Sequence, residues 1–456
     1  VKQNATLLEK YDKPAPRYTS YPTVPHWSGK LTAEKWQQHV QEAVARQSNS
    51  SLSLYVHLPF CEALCTFCGC HKIITRNHDV EEPYIEALVK EWSLYQKLFS
   101  EKKNLPVKEI HFGGGTPTFF SPESLNRLLE ALLRNQNLER DVCEFSVEVH
   151  PKTVTKEHLE TLARWGCSRL SIGVQDFDPQ VQQAIGRKQS EEDVAQVCEW
   201  ARALNMNSIN FDLIFGLPFQ THASLQRTLE RVIALKPDRI AFYSYAHVPW
   251  LKPGQSGFSP EALPVGANKM ALYELGREAF LAAGYVEIGF DHFALPHDSL
   301  ARSLHNDTLH RNFMGYTTQS SSLLLGLGIS SIGDAGTAFG QNEKTLQAYY
   351  RALAINQLPI AHGHILSSED EILRNHIANL MCHLQTQWKK DSPDEKALLP
   401  AFNDLKQLEE DHLVVIGEGI LKVTDIGRRF LRNICMAIDA RQRERTFQKP
   451  TFSQSV

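Results

Sequence analysis

The chain has 456 residues, 42% of them hydrophobic and 22% charged, with a formal net charge of −4. That is ordinary globular composition, and the charge balance leaves no overall basic footprint for nucleic acid. No run approaches the roughly 18 apolar residues of a membrane span, and the first residues carry no apolar leader core, so a cytoplasmic protein with no membrane span is expected.

The first feature in chain order is Pro16-Arg-Tyr-Thr-Ser-Tyr-Pro-Thr23. Proline near both ends and hydroxyls between predict an extended loop rather than a helix. It reads either as a strap packed on the core or as an arm that brings Arg17, Tyr18 and Tyr21 to a ligand. An amphipathic helix follows over 31–45, then an apolar strand over 52–56.

Four of the nine cysteines lie within the next stretch, at Cys61, Cys65, Cys68 and Cys70, while the other five are scattered singly. Soft thiolates this dense select zinc, cuprous copper or an iron–sulfur cluster. A structural zinc site usually draws on a second, distant pair of ligands, which this chain does not have. Three cysteines at x3 and x2 spacing suit a cubane cluster with one iron left open. The same spacing also fits one face of a helix, so small buried apolar residues remain an alternative. Clustered thiols without an export signal point to a reducing compartment.

From there to about residue 245, predicted strands over 52–56, 109–112, 144–149, 169–174, 208–214 and 239–245 alternate with helices over 82–99, 122–135, 156–165, 191–204 and 224–235. Such alternation indicates right-handed βαβ units and a parallel sheet, here a partial (β/α)6 barrel. Functional groups are then expected at the C-terminal ends of the strands. Those ends are polar or glycine-rich: the cysteine loop, then His111-Phe-Gly-Gly-Gly-Thr-Pro117, Glu148 with His150, Gln175 with Asp176, Asp212 before Gly216, and Tyr243 to His247. Three consecutive glycines permit a tight turn that offers N–H groups to an anion. A glutamate inside an apolar strand is rarely left unpaired.

A helix is predicted over 267–282, then a strand over 285–290 followed by Asp291 and His292. Residues 310–318 (His-Arg-Asn-Phe-Met-Gly-Tyr-Thr-Thr) lack periodicity and read as a loop. The glycine-rich run 323–333 is not a dinucleotide fingerprint, because Ser331 stands where the third glycine belongs, so it reads as a buried strand or turn. Beyond about 366, a capping box at Ser368 and Glu371 opens a helix. A hairpin over 413–416 and 420–423 and a closing helix over 428–440 suggest a small winged-helix-like α+β domain. Arg428, Arg429, Arg432, Arg441, Arg443 and Arg445 are interspersed with acids and read as a solvated tail. The expected division is an arm and helix over 1–50, a barrel with a substrate-side extension over 51–365, and a C-terminal domain over 366–456.

These motifs resemble the family of oxygen-independent coproporphyrinogen III oxidases, within the radical S-adenosylmethionine superfamily. The likeness runs from about residue 7 to the end and is carried by 16–23, 61–70, 111–118, 310–318 and 428–436. It implies a TIM-like radical SAM barrel in which Cys61, Cys65 and Cys68 bind a 4Fe-4S cluster and Cys70 does not. A first S-adenosylmethionine maps onto Tyr55, Gly114, Glu148 and Ile332. A second maps onto Phe67, Gly115, Thr116, Gln175, Arg187, Asp212 and Ala246. The implied chemistry is a 5′-deoxyadenosyl radical that takes a hydrogen from two propionates of coproporphyrinogen III in turn. Loss of carbon dioxide and an electron then gives vinyl groups and protoporphyrinogen IX.

Four propionates need cationic anchors, and Arg17, His310 and Arg311 are the candidates, with Tyr18 and Tyr21 beside them. The arm and the 310–318 loop are therefore expected to close together over the barrel mouth. The resemblance also implies a flavodoxin- or ferredoxin-like reductant, an electron acceptor and a monomer. A related haem chaperone would lack Cys70 and the arm. A nucleic-acid-modifying radical enzyme would need a concentrated basic face.

Overall fold

A computed structural model describes residues 2–27, 29, 31–46, 50–99, 105–134, 136, 143–444 and 451–455. The last residue of the helix expected over 122–135 and Arg445 lie outside the described residues. After helices α1 (Lys2–Tyr11) and α2 (Ala33–Ala45) come six βα strands: β1 (Leu52–Leu58), β2 (Val107–Gly114), β3 (Glu144–Val149), β4 (Arg169–Gln175), β5 (Ser208–Phe215) and β6 (Arg239–Ser244). The helices between them are α3 (Glu81–Leu98), α4 (Pro122–Leu133), α5 (Lys156–Arg164), α6 (Glu191–Ala203) and α7 (His222–Leu235). Consecutive strands pair in parallel throughout.

Local chemistry sets these boundaries. Ser121, Thr155, Ser190 and Thr221 each cap a helix by accepting the N–H three residues on, worth about 1 kcal/mol apiece. In α4, Leu125, Leu128, Leu129 and Leu132 form one buried stripe against the sheet. In β1, Leu52, Leu54, Val56 and Leu58 are all buried.

Beyond the barrel strands lie α8 (Gly266–Ala282), β7 (Val286–Ile288), β8 (His292–Ala294), β9 (His310–Asn312), β10 (Gly315–Thr317), β11 (Leu323–Leu327), β12 (Ile332–Asp334), β13 (Ala338–Asn342) and β14 (Ile360–Ile365). The large sheet has the order β14-β13-β12-β11-β1-β2-β3-β4-β5-β6-β8-β7. The run 323–327 thus becomes a seventh parallel strand, paired to β1, and antiparallel strands extend both edges.

Residues 310–318 are a β-hairpin rather than a loop. Side chains pin it in place: Thr317 donates to Glu109 at 2.7 Å, Asn312 donates to Glu109 at 3.2 Å and Thr318 donates to Glu144 at 3.1 Å.

The C-terminal part holds α9 (Ser368–His383), a three-stranded sheet of β15 (Gln385–Gln387), β16 (Val414–Gly417) and β17 (Ile420–Val423), and α10 (Leu431–Ile438). The cap of α9 is Ser367 paired with Asp370, one residue before the expected box. The expected closing helix splits into a 3-10 turn, Gly427–Phe430, and α10. Among the described residues no helix is long and apolar enough to cross a membrane.

Candidate active site

The C-terminal strand ends open into a cavity of about 870 Å³, the size of a small-molecule or cofactor site. The loop after β1 brings Cys61, Cys65, Cys68 and Cys70 to its wall. Cys61 Sγ lies 3.3 Å from the Thr116 hydroxyl, and Arg187 donates to Cys65 Sγ at 3.6 Å. A hydrogen bond from Cys70 and the charge of Lys72 draw Cys68 below the ordinary thiol range. Burial pushes Cys61 up to about 11, so it would lose its proton only against a positive ligand.

The glycine turn faces this loop. Gly114 has φ +114°, and a Cβ on Gly115 would meet the Pro59 backbone at 2.5 Å. Only bare backbone fits so close to the cysteine loop. The Gly114 N–H donates to Glu148 Oε2 at 3.2 Å, and His111 pairs with Oε1 at 3.3 Å. Burial raises the Glu148 pKa, but His111 and the Gly114 N–H outweigh it and hold the carboxyl below its usual range. About 40% of its side chain still opens into the cavity. Tyr55 stacks on His111 at 5.9 Å. Neither Tyr55 nor Ile332 lines the cavity; Tyr55 pairs with Gly326, whose α-carbon packs beneath the Ile332 backbone.

Gln175 sits at the end of β4 with φ +65°, where the register slips against β5 and re-aims the strand end. Arg187 donates to the Gly173 carbonyl at 2.6 Å, while its Nε is buried with no partner among the described residues. Asp212 accepts from Ser171 at 2.9 Å and Asn210 at 3.0 Å. Burial and the Glu148 charge raise it to about 6. Phe67, Thr116 and Ala246 complete this part of the wall. The donors and open carboxylates suit a zwitterionic cofactor beside a thiolate-held cluster.

The other expected residues divide. Arg17 reaches the cavity and donates to the Ser244 carbonyl at 2.6 Å. Tyr18 and Tyr21 are buried away from it, the Tyr18 hydroxyl donating to Asp439 at 2.9 Å. His310 is exposed. The Arg311 guanidinium lies over Tyr316 at 4.4 Å and Phe290 at 5.2 Å, and its Nε and Nη1 are buried with no partner among the described residues. The hairpin carrying it is anchored to Glu109 and Glu144 near the starts of β2 and β3, while its Phe313 packs edge-on against Trp27 at 6.2 Å, and Arg17 and Arg311 both lie in the field of Asp291.

Two cavity residues were named in the sequence reading but given no role there. His292, held at 2.6 Å by Asp291, and Tyr243 face the interior together. The adjacent Asp291-His292 pair was the available signal.

The Radical SAM superfamily profile matches residues 55–232. The oxygen-independent coproporphyrinogen III oxidase of Synechocystis sp. is 38% identical, covering 100% of this chain and 98% of its own length. That of Escherichia coli is 38% identical over 96% of this chain and 95% of its own, and that of Pseudomonas aeruginosa 37% over 96% of each. The solved structure of coproporphyrinogen III oxidase from Escherichia coli, described as a radical SAM enzyme, superposes with a TM-score of 0.86. It shares 37% identity and covers 93% of this chain and 97% of its own.

Proposed function

The chain belongs to the family of oxygen-independent coproporphyrinogen III oxidases in the radical SAM superfamily, and from that premise we propose how its residues carry the reaction. That reaction is the anaerobic oxidative decarboxylation of two propionates of coproporphyrinogen III to vinyl groups, giving protoporphyrinogen IX in haem biosynthesis. When bound, a 4Fe-4S cluster and S-adenosylmethionine supply the radical that removes a hydrogen from the propionate. The protein binds, orients and excludes water.

Cys61, Cys65 and Cys68 would hold the cluster. Glu148, steadied by the Gly114 N–H, would hold the polar end groups of the first cofactor against the bare glycine turn, with Tyr55 and Ile332 packed behind the cavity wall. Phe67, Gly115, Thr116, Gln175, Arg187, Asp212 and Ala246 are our candidates for a second S-adenosylmethionine, the Arg187 Nε, unpartnered among the described residues, supporting an anionic group there. Arg17 and Arg311 are the propionate anchors; the unpaired donors of Arg311 support this, and the exposure of His310 weakens its case. A flavodoxin- or ferredoxin-like donor, a separate electron acceptor, a monomeric state and a cytoplasmic setting complete the proposal.

The observation that carries this reading is that thiols, bare glycine turn and open glutamate share one cavity at the strand ends. Anaerobic incubation with coproporphyrinogen III, S-adenosylmethionine and a reductant should release two molecules of carbon dioxide per macrocycle. Protein that binds iron and cofactor yet leaves the macrocycle unchanged would overturn it.

A further inference from the structure

The arginines of α10 and its approach are not the solvated tail that their local sequence suggests. Arg428 pairs with Glu287, Arg429 with Glu274 and Arg441 with Asp370. Arg432 differs from these three because, among the described residues, it has no carboxylate hydrogen-bond partner. It is 4% exposed, and its guanidinium donates to four backbone carbonyls. Two belong to Ala15 and Pro16, the residues just before Arg17; the others, at 3.0 Å each, belong to Gln454 and Ser455.

We propose that Arg432 is a positioning residue that sets Arg17 at the barrel mouth by gripping the arm's backbone, without touching substrate. The inference rests on Arg17 anchoring a propionate, as proposed above.

Independent contacts on the same stretch agree. The C-terminal segment pairs with the arm: Ala15 N–H donates to the Ser453 carbonyl at 3.1 Å, and the Ser455 hydroxyl donates to the Tyr11 carbonyl at 2.7 Å. Asn433, next to Arg432, donates to the same Tyr11 carbonyl at 2.8 Å. Immediately after Arg17, Tyr18 adopts φ +49°, a left-handed conformation that a bulky side chain holds only when its surroundings impose it. Its hydroxyl is tied to Asp439, beyond the end of α10. Arg17 is therefore bracketed on both sides by contacts to the C-terminal part, while its own Nη2 reaches the Ser244 carbonyl at the end of β6. A small cavity of about 40 Å³, lined by Arg17, Asp291 and Arg432, lies between these elements. A planar fork of five donors can span four carbonyls, and an ammonium cannot.

The test is steady-state kinetics of the reconstituted holoenzyme carrying Arg17→Ala, Arg432→Met or both. Arg432→Met should raise the KM for coproporphyrinogen III at least about fivefold, with kcat within about twofold and iron content and S-adenosylmethionine affinity unchanged. The double variant should be no worse than Arg17→Ala, because the two act in series. Should Arg432→Met fail to fold, Arg432→Lys and a chain ending at residue 450 carry the same expectation. A wild-type KM in an Arg432 variant, or losses that multiply in the double variant, overturns the inference while leaving the anchor intact. An unchanged KM in Arg17→Ala removes the anchor itself, and the inference with it.

Discussion

At the starts of β3 and β6, Glu144 accepts from Arg169 at 2.8 Å, from Arg239 at 3.3 Å and from Thr318 at 3.1 Å, and Arg239 also donates to Asp298 at 2.7 Å. Toward the far ends of the strands, Glu148 on β3 opens into the cavity, Asp212 on β5 leans on two neutral donors, and the Arg187 Nε after β4 has no partner among the described residues. Both ends of the barrel carry charge, but the base pairs arginines with carboxylates, whereas the mouth pairs its carboxylates with histidines or neutral donors. Burial alone would raise Glu144, yet Arg239 and Arg169 overcome it and hold the carboxyl at about 2. At Asp212 burial and the Glu148 charge prevail and raise the carboxyl to about 6, while Glu148, held by His111, stays below the usual range. Saturated charge marks the end that holds the barrel together; unsaturated charge marks the end that awaits a ligand.

The largest break in this contrast comes at the mouth. Cys65→Ser should abolish both bound iron and decarboxylation, measured by iron analysis and product chromatography, without shifting the urea midpoint of the iron-free protein. Retention of full iron would detach that thiol from the cluster.

At the base the prediction inverts. Glu144→Ala leaves the Arg169 guanidinium without its partner and Arg239 with Asp298 alone, and should cost about 3 kcal/mol of stability by urea unfolding. The fraction that stays folded should bind S-adenosylmethionine normally. The sign with pH follows from the depressed carboxyl. Its contribution is complete above the ordinary glutamate value of 4.5 and is lost as pH falls toward about 2. The stability gap between wild type and Glu144→Ala should therefore narrow below about pH 4.5; a gap that stays constant to pH 3 would deny the pairing.

The smallest effect sharpens the comparison. Glu148→Ala should weaken S-adenosylmethionine by about 1–3 kcal/mol in calorimetry of the cluster-loaded protein, with little change in unfolding. Equal affinity would shift the cofactor's polar end groups to another residue.

The barrel strands, their polar ends and the cysteine loop were legible because each rests on local pattern: an apolar run, a cap, a spacing. The 310–318 hairpin was not, because its partners Glu109 and Glu144 lie more than 160 residues earlier and no periodicity announces side-chain anchors. Arg432 was misread for a related reason. Acidic neighbours in sequence suggested solvation, whereas its acceptors are backbone carbonyls of the opposite end of the chain. The arm could be read as a strap or as a ligand-facing arm; Tyr18 and Tyr21 are buried against the C-terminal part, while Arg17 reaches the cavity.

The pairing of β1 with both β2 and β11 has a consequence for synthesis on the ribosome. Leu52 meets Val107 on one side and Leu323 on the other. At about 5–20 residues per second, the second neighbour emerges tens of seconds after the first. For that interval the strand leading into the cysteines is a sheet edge, with free N–H and C=O groups able to pair with another nascent chain. Only when β11 is added does the cysteine-bearing strand become central, so the nascent protein is most prone to misassociation beside its own cluster loop.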